Sequence, residues 1–309
     1  MYYYRIYGLN IQSEYEFKEA VSIEKPACQP IDITIEEGEI SVELTTETEV
    51  DTKEGVLYVY KYEKQNGWIR VRGQGCFVIE QGRKITYKLK ENNNLLVISQ
   101  AFLCLVIPMA MMQQDKLALH GSGILLGNKA VVISGNSGAG KSTLAAGLLN
   151  RTGIFMADDI VAIKLKEGKV YAQPAYPQQK ICVDSLKHQD KERGSLVLLP
   201  PDGGKDKYAL RLYGDYCMEE KELSSIFILQ VGNVDSVQLQ EITGSEKIKY
   251  LTNNLYKRKI YLEAGMMPEI FKECIQVANQ VKIYSLMRPS RGMTTEIQIE
   301  KIMDVLQTY

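Results

Sequence analysis

Over roughly the first 94 residues, apolar positions alternate with polar ones at a period of two. The runs YYYRIYGLNI, PIDITIEEGEISVEL, GVLYVYKYEKQNGWIRVRG and GCFVIEQGRKITYKL carry β-branched and aromatic side chains in the rhythm of half-buried strands. EEG, QNG and EQGR punctuate them as turns. The pattern predicts an N-terminal antiparallel β module over residues 1–94. It holds no catalytic constellation and reads as a docking domain, a lid or a surface for a partner.

At Leu95 the alternation stops. LLVISQAFLCLVIPMAMM, from Leu95 to Met112, is apolar on all sides for about five turns, enough to span a membrane by length. Ser99, Gln100 and Pro108 interrupt it and QQDK follows at once, so it reads as a helix buried in a soluble core.

From there the period changes again. AVVISG is a compact apolar strand, STLAAGLLNRTG a helix ending near Gly153, and GIFMADDIVAIKLKEGKVYAQP two strands around a KEGK turn. Strand, loop, helix and strand in that order make a βαβ unit. The expected fold class is therefore an α/β core in a chain that is α+β as a whole, with residues 95–309 as the second domain. Further along, SLVLLPPDGGKDKYALRLYG reads as two strands around a Pro- and Gly-rich loop, and SSIFILQV as a buried strand. Helices are expected over Ser245 to Leu262 and Glu269 to Gln280, then the strand VKIYSLMR and a last amphipathic helix from Thr295 to Leu306. There is no internal repeat and no low-complexity segment.

Composition narrows the partners. In 309 residues, 45% apolar and 24% charged, the formal net charge is −1, so no global field draws the chain to nucleic acid or to an acidic membrane. Neither is expected as a partner. Six cysteines stand singly, without a CxxC pair or a histidine at ligand spacing; they read as reduced thiols of a cytoplasmic protein. MYYYRIYGLNIQSEYEF lacks the basic and apolar regions of a signal peptide.

The chemistry concentrates after residue 119. Gly135-Asn136-Ser137-Gly138-Ala139-Gly140-Lys141-Ser142 fits G-x-x-x-x-G-K-[ST], and Thr143 follows. The glycines let successive amide hydrogens face phosphate oxygens, and the helix behind adds its positive end. Lys141 would reach the β and γ phosphates and Ser142 would offer its hydroxyl to Mg²⁺. No N-K-x-D stretch is present to read guanine, which disfavours a GTPase. Asp158-Asp159, at the end of the apolar strand GIFMA, is the acidic element; such a pair can divide labour between metal and proton transfer.

One of only two histidines, His120, precedes the strand that enters the loop. The ordered set of His120, GNSGAGKS and ADD resembles the HPr kinase/phosphorylase family over roughly residues 117 to 185. That resemblance implies a P-loop core of the HPr kinase/PEP carboxykinase kind, with ATP and Mg²⁺ as cofactors. It places His120 and Asp158 beside the transferred phosphoryl group, Asp158 as base on a serine hydroxyl, with Lys141, Ser142 and Asp159 on the nucleotide and its metal. LMRPSRGM resembles the family's arginine-containing segment, nominating Arg288 and Arg291 as phosphate or substrate contacts.

The family's apolar-Glu-apolar-Arg-Gly run after the Asp pair is absent here, and QPAYPQQKICVDSL stands near its place. Lys180 within it reads as a solvated strand residue, with a phosphate contact as the alternative. His188, in DSLKHQDKERG, reads as a solvated loop residue. The opening YRIYGLNIQSE is similar to the stand-alone HPr-kinase-like proteins of modified-peptide gene clusters, among them the lasso-peptide kinases. The resemblance implies a peptide or small protein with an acceptor serine as substrate, and assembly into a homo-oligomer through the kinase domain. A kinase of free serine, and a nucleotide-binding regulator or scaffold without transfer, are the competing expectations.

Overall fold

A computed structural model describes residues 1–41, 48–50, 58–182, 196–199, 207–212, 214 and 216–307; His188 lies outside them. The alternating N-terminal runs form an eight-stranded sheet, β1 (Tyr2–Ile6), β2 (Leu9–Ser13), β3 (Ile33–Glu37), β4 (Thr48–Val50), β5 (Tyr58–Tyr62), β6 (Asn66–Val71), β7 (Gly75–Glu80) and β8 (Lys84–Leu89), ordered β1-β2-β3-β8-β7-β6-β5-β4. The sheet is mixed rather than antiparallel, because β3 runs parallel to both β2 and β8. The chain between Ser13 and Ile33 is long enough to return β3 to the same end, as a parallel pair requires.

The tip between β7 and β8 follows its sequence signal. Gln81 and Gly82 both take positive φ, 53° and 66°, the geometry of a two-residue hairpin turn. Gly82 meets a second demand there: a Cβ would come within 2.4 Å of the Ala110 carbonyl. Its N–H donates to Gln113 Oε1 at 2.6 Å, so the hairpin tip docks on the end of the apolar helix.

That helix, Leu95–Gln113, lies within the protein, with 78% of its apolar window buried. Asn94 caps its start, its Oδ1 accepting from the N–H groups of Leu96 and Val97. Midway, Phe102–Val106 widens into a π turn, with the Ile107 N–H donating to Phe102 O. Pro108 explains the break, since it has no N–H to offer the preceding turn. The carbonyls four and five residues before it, Cys104 and Leu103, instead accept the hydroxyls of Tyr256 and Tyr7. One proline thus ties the N-terminal sheet and a C-terminal segment to the same turn. Phe102, wholly buried, is ringed by Phe77, Tyr15, Phe17 and Tyr87 at centroid distances of 4.8–5.4 Å. Phe102→Ala is expected to destabilise the fold by about 3–5 kcal/mol, read as a lower midpoint in urea with an unchanged slope.

The second sheet carries the site. Its strands are β9 (Leu117–Leu126), β10 (Lys129–Gly135), β11 (Ile154–Ala157), β12 (Ile160–Lys166), β13 (Lys169–Ala172), β17 (Lys221–Gly232), β18 (Gln238–Ile242) and β19 (Lys282–Pro289), along the path β10-β9-β12-β13-β17-β19-β18 with β11 on β9. β10 also pairs parallel with β17, so five strands close on themselves. β14 (Gln178–Cys182), β15 (Leu196–Leu198) and β16 (Lys207–Arg211) form a small separate sheet. The expected β-helix-β unit is β10, the helix Lys141–Arg151 and β11, with β9 antiparallel between the two strands.

β9 changes partners halfway. Leu117 to His120 pair with β12, whereas Gly121 to Leu126 pair with β10. The single helix expected over Ser245 to Leu262 is two, Glu246–Asn253 and Arg258–Glu263. The residues between them lie along the free edge of the first half of β9: the His120 N–H donates to Asn254 O at 2.8 Å and the Tyr256 N–H to Ala118 O at 2.9 Å. Those main-chain bonds compete with the helix and win, because the edge of β9 would otherwise be unpaired. Met267–Gln280 and Thr295–Gln307 are further helices among the described residues.

Candidate active site

Everything in the site hangs on the handover in β9 and on the end of β10. β10 is buried from Ala130 to Gly135, and the chain then surfaces at Asn136, Ser137 and Gly138 before the helix begins at Lys141. Gly135 takes φ 135°, and a Cβ there would lie 2.2 Å from the Leu229 carbonyl. Only glycine allows the loop to leave so close to β17. Gly138 and Gly140 also take positive φ, 80° and 104°. Ser142 and Thr143 are half-buried in the first turn of the helix.

Lys141 curls back over its own loop, donating to Gly135 O at 2.8 Å and Asn136 O at 3.1 Å. Burial lowers its pKa, against the pull of the Asp159 and Asp158 carboxylates, so its charge is felt by both acidic residues. Arg288 on β19 reaches the same loop, its Nε donating to Ala139 O at 2.9 Å. Arg291 is exposed beyond the strand. Of the two arginines, the fold brings only Arg288 to the glycine-rich loop.

The Asp pair follows β11. Asp158 is buried, and each of its oxygens accepts one hydrogen bond, Oδ1 from the Ser122 hydroxyl and Oδ2 from the Lys180 main-chain N–H, both at 2.7 Å. Burial raises its carboxyl above the ordinary aspartate range despite those bonds. Asp159 takes φ 68°, a left-handed conformation that aspartate tolerates better than most residues, and this turns its side chain the other way. Its Oδ2 accepts from Lys180 Nζ at 3.0 Å and its Oδ1 lies 3.4 Å from His120 Nδ1. Burial pushes Asp159 upward too, but Lys180 and His120 outweigh it and hold this carboxyl well below the usual range. Two neighbouring carboxylates are thereby driven apart.

His120 Nδ1 donates to the Asp159 carbonyl at 3.0 Å. That bond places a proton on Nδ1 and leaves Nε2 facing away from it, and the side chain is 35% exposed. The Ser134 hydroxyl, one residue before Gly135, donates to His120 O at 2.7 Å, so the histidine strand and the loop strand are locked at the mouth of the loop. The fold brings His120, Lys141, Asp158 and Asp159 into one neighbourhood.

Lys180 is the correction. It is largely covered and ion-paired rather than solvated, because the small sheet folds β14 back against the Asp pair. Its Nζ also donates to Cys104 Sγ at 3.1 Å, and the Cys104 thiol stands 3.4 Å from the Tyr176 hydroxyl. Burial opposes the ammonium, yet Asp159 and Cys104 keep its pKa raised.

Sequence reasoning missed Ser122, Asn254 and Cys104. Ser122 had a signal, because two residues along a strand share a face and HGSG sets Ser122 beside His120. Asn254 and Cys104 had none, standing 134 and 16 positions from His120 in elements of their own.

Among the described residues, no group of three or more His, Cys, Asp or Glu is arranged to hold a metal ion. A nucleotide-borne Mg²⁺ needs less, one or two protein oxygens beside the phosphates, and the Ser142 hydroxyl at the helix start fits that requirement.

No family model matches the chain, and no curated protein matches it in sequence. Among solved structures it is similar to one described as the Hpr(Ser) kinase/phosphatase from Coxiella burnetii, at 11% identity, with 62% of this chain and 97% of that chain covered and a TM-score of 0.33.

Proposed function

We propose that the protein is an ATP-dependent kinase that transfers the γ-phosphoryl group to a serine hydroxyl of a peptide or small protein. The observation that carries this reading is the division of the Asp pair beside a glycine-rich loop and its lysine: one carboxyl with a raised pKa, the other held ionised. Pairs pushed apart in this way separate a proton acceptor from a fixed charge.

In this reading the amide groups of Gly135 to Ser142 and the Lys141 ammonium hold the phosphates. The Ser142 hydroxyl and the phosphates would hold Mg²⁺, which when bound supplies charge neutralisation between the β and γ phosphates. Asp158 takes the serine proton as the serine oxygen bonds to the γ phosphorus and the bond from that phosphorus to the ADP oxygen breaks. His120 Nε2 orients the transferring group, Arg288 braces the loop, and Asp159 stays charged.

The test is incubation with γ-labelled ATP and a panel of acceptors: serine-bearing precursor peptides of the lasso type, a serine-bearing small protein, and free serine. Label on a peptide or protein serine supports the proposal, and label on free serine alone replaces it with a small-molecule kinase. Nucleotide affinity without transfer to any acceptor, together with ATP-dependent capture of a partner, replaces it with a regulator. The Lys180 ammonium on Asp159 is the observation that favours this last alternative. His120→Ala is expected to lower transfer by about 10²-fold while changing nucleotide affinity little; equal losses in both would make the histidine structural.

A further inference from the structure

Lys180 does more than occupy a gap in the core. It is one residue holding both carboxylates, with its main-chain N–H on Asp158 at 2.7 Å and its Nζ on Asp159 at 3.0 Å. Its side chain is only 16% exposed, and the Cys104 thiol on the π turn receives a second N–H from the same ammonium. Two adjacent carboxylates at a nucleotide loop are the usual holders of a divalent ion. Here both oxygens of Asp158 and one of Asp159 are already taken by donors on the chain, and His120 stands over the last.

We infer that Lys180 is a positioning residue that serves as a built-in cation, occupying at Asp159 the place a divalent metal ion would otherwise take. Its ammonium is tethered through β14, so the main-chain bond to Asp158 and the side-chain bond to Asp159 set the spacing of the pair together. A fixed point charge needs no loading from solution, and at Asp159 it takes the place of an exchangeable metal. The raised pKa of Lys180 agrees, since the ammonium remains charged although largely covered.

The inference rests on the kinase reading only for the role of the pair, and its test does not need nucleotide. Mn²⁺ is titrated into the nucleotide-free, full-length protein and followed by electron paramagnetic resonance. Wild type and Lys180→Arg, which keep a cation on Asp159, are expected to bind Mn²⁺ weakly. Lys180→Met exposes the carboxylate and is expected to bind at least about tenfold more tightly, and the gain should vanish in Lys180→Met combined with Asp159→Asn.

Wild type that binds Mn²⁺ as tightly as Lys180→Met, or a gain that survives Asp159→Asn, overturns the inference. Lys180→Gln, closer in polarity to the native side chain, carries the same expectation should the methionine variant unfold. Fluorescent ADP supplies a second readout: Lys180→Met is expected to lose about tenfold in affinity when Mg²⁺ is chelated, and Lys180→Arg to restore it. A protein whose wild type binds no nucleotide would overturn the proposed function, yet the Mn²⁺ result would still decide the role of Lys180.

Discussion

Lys141→Met is expected to lower phosphoryl transfer by about 10³-fold or more and to weaken ATP binding with it, while leaving the melting temperature nearly unchanged. The argument is electrostatic. The Lys141 ammonium is the positive side chain that the helix start itself contributes to the loop, and among the described residues its hydrogen bonds are to the carbonyls of Gly135 and Asn136. Neither bond ties the loop to another element, so the fold loses little. A bound triphosphate loses a charge that grows in value as the bridging oxygen becomes negative in the transition state. Labelled transfer and fluorescent-nucleotide titration check the two halves of the claim. An unchanged rate would remove the loop from the chemistry, and an unfolded variant would show that Lys141 is structural.

The glycine-rich loop was legible because its requirements are local. Gly135 must be glycine to pass the Leu229 carbonyl, and Gly138 and Gly140 must accept positive φ; such constraints write themselves into consecutive residues. The hairpin at Gln81-Gly82 and the burial of Leu95–Gln113 were legible for the same reason. His120 and the Asp pair were found through their order along the chain, and the fold brings them together at the partner change of β9.

What was not legible depends on residues far apart in sequence. The parallel placement of β3 is decided by the whole N-terminal sheet, and the helix break at Asn254 by an edge of β9 more than a hundred residues earlier. Lys180 looked like a solvated strand residue because nothing in its own stretch of sequence announces the partners it finds. Its partners, Asp159 and Cys104, come from a strand end and from a π turn. The turn itself had a local cause, Pro108, whose missing N–H leaves the Cys104 carbonyl to Tyr256. A proline inside an apolar run announced a break, but not that the break would reach the charged site.

Asp158→Asn is the second large effect, an expected loss of about 10³-fold in transfer with the fold intact. The substitution is nearly isosteric, and its partners adapt. The amide oxygen accepts from the Lys180 N–H, and the new NH₂ donates to the Ser122 hydroxyl, whose own proton loses the acceptor it has on Asp158, at a cost of about 1–2 kcal/mol. Removing a carboxylate that burial disfavours offsets that cost, and the melting temperature should change by no more than a few degrees. The base must be ionised to take the serine proton, so wild-type kcat/KM rises with pH through the Asp158 pKa. Because that pKa is raised, the acid limb should lie above the ordinary aspartate range. Asp159 is ionised throughout that interval, since its pKa is held well below the usual value. Asp159→Asn should therefore lower the rate while leaving an acid limb in the profile, and Asp158→Asn should abolish the limb. A limb that persists in Asp158→Asn and disappears in Asp159→Asn would assign the proton to the other carboxylate.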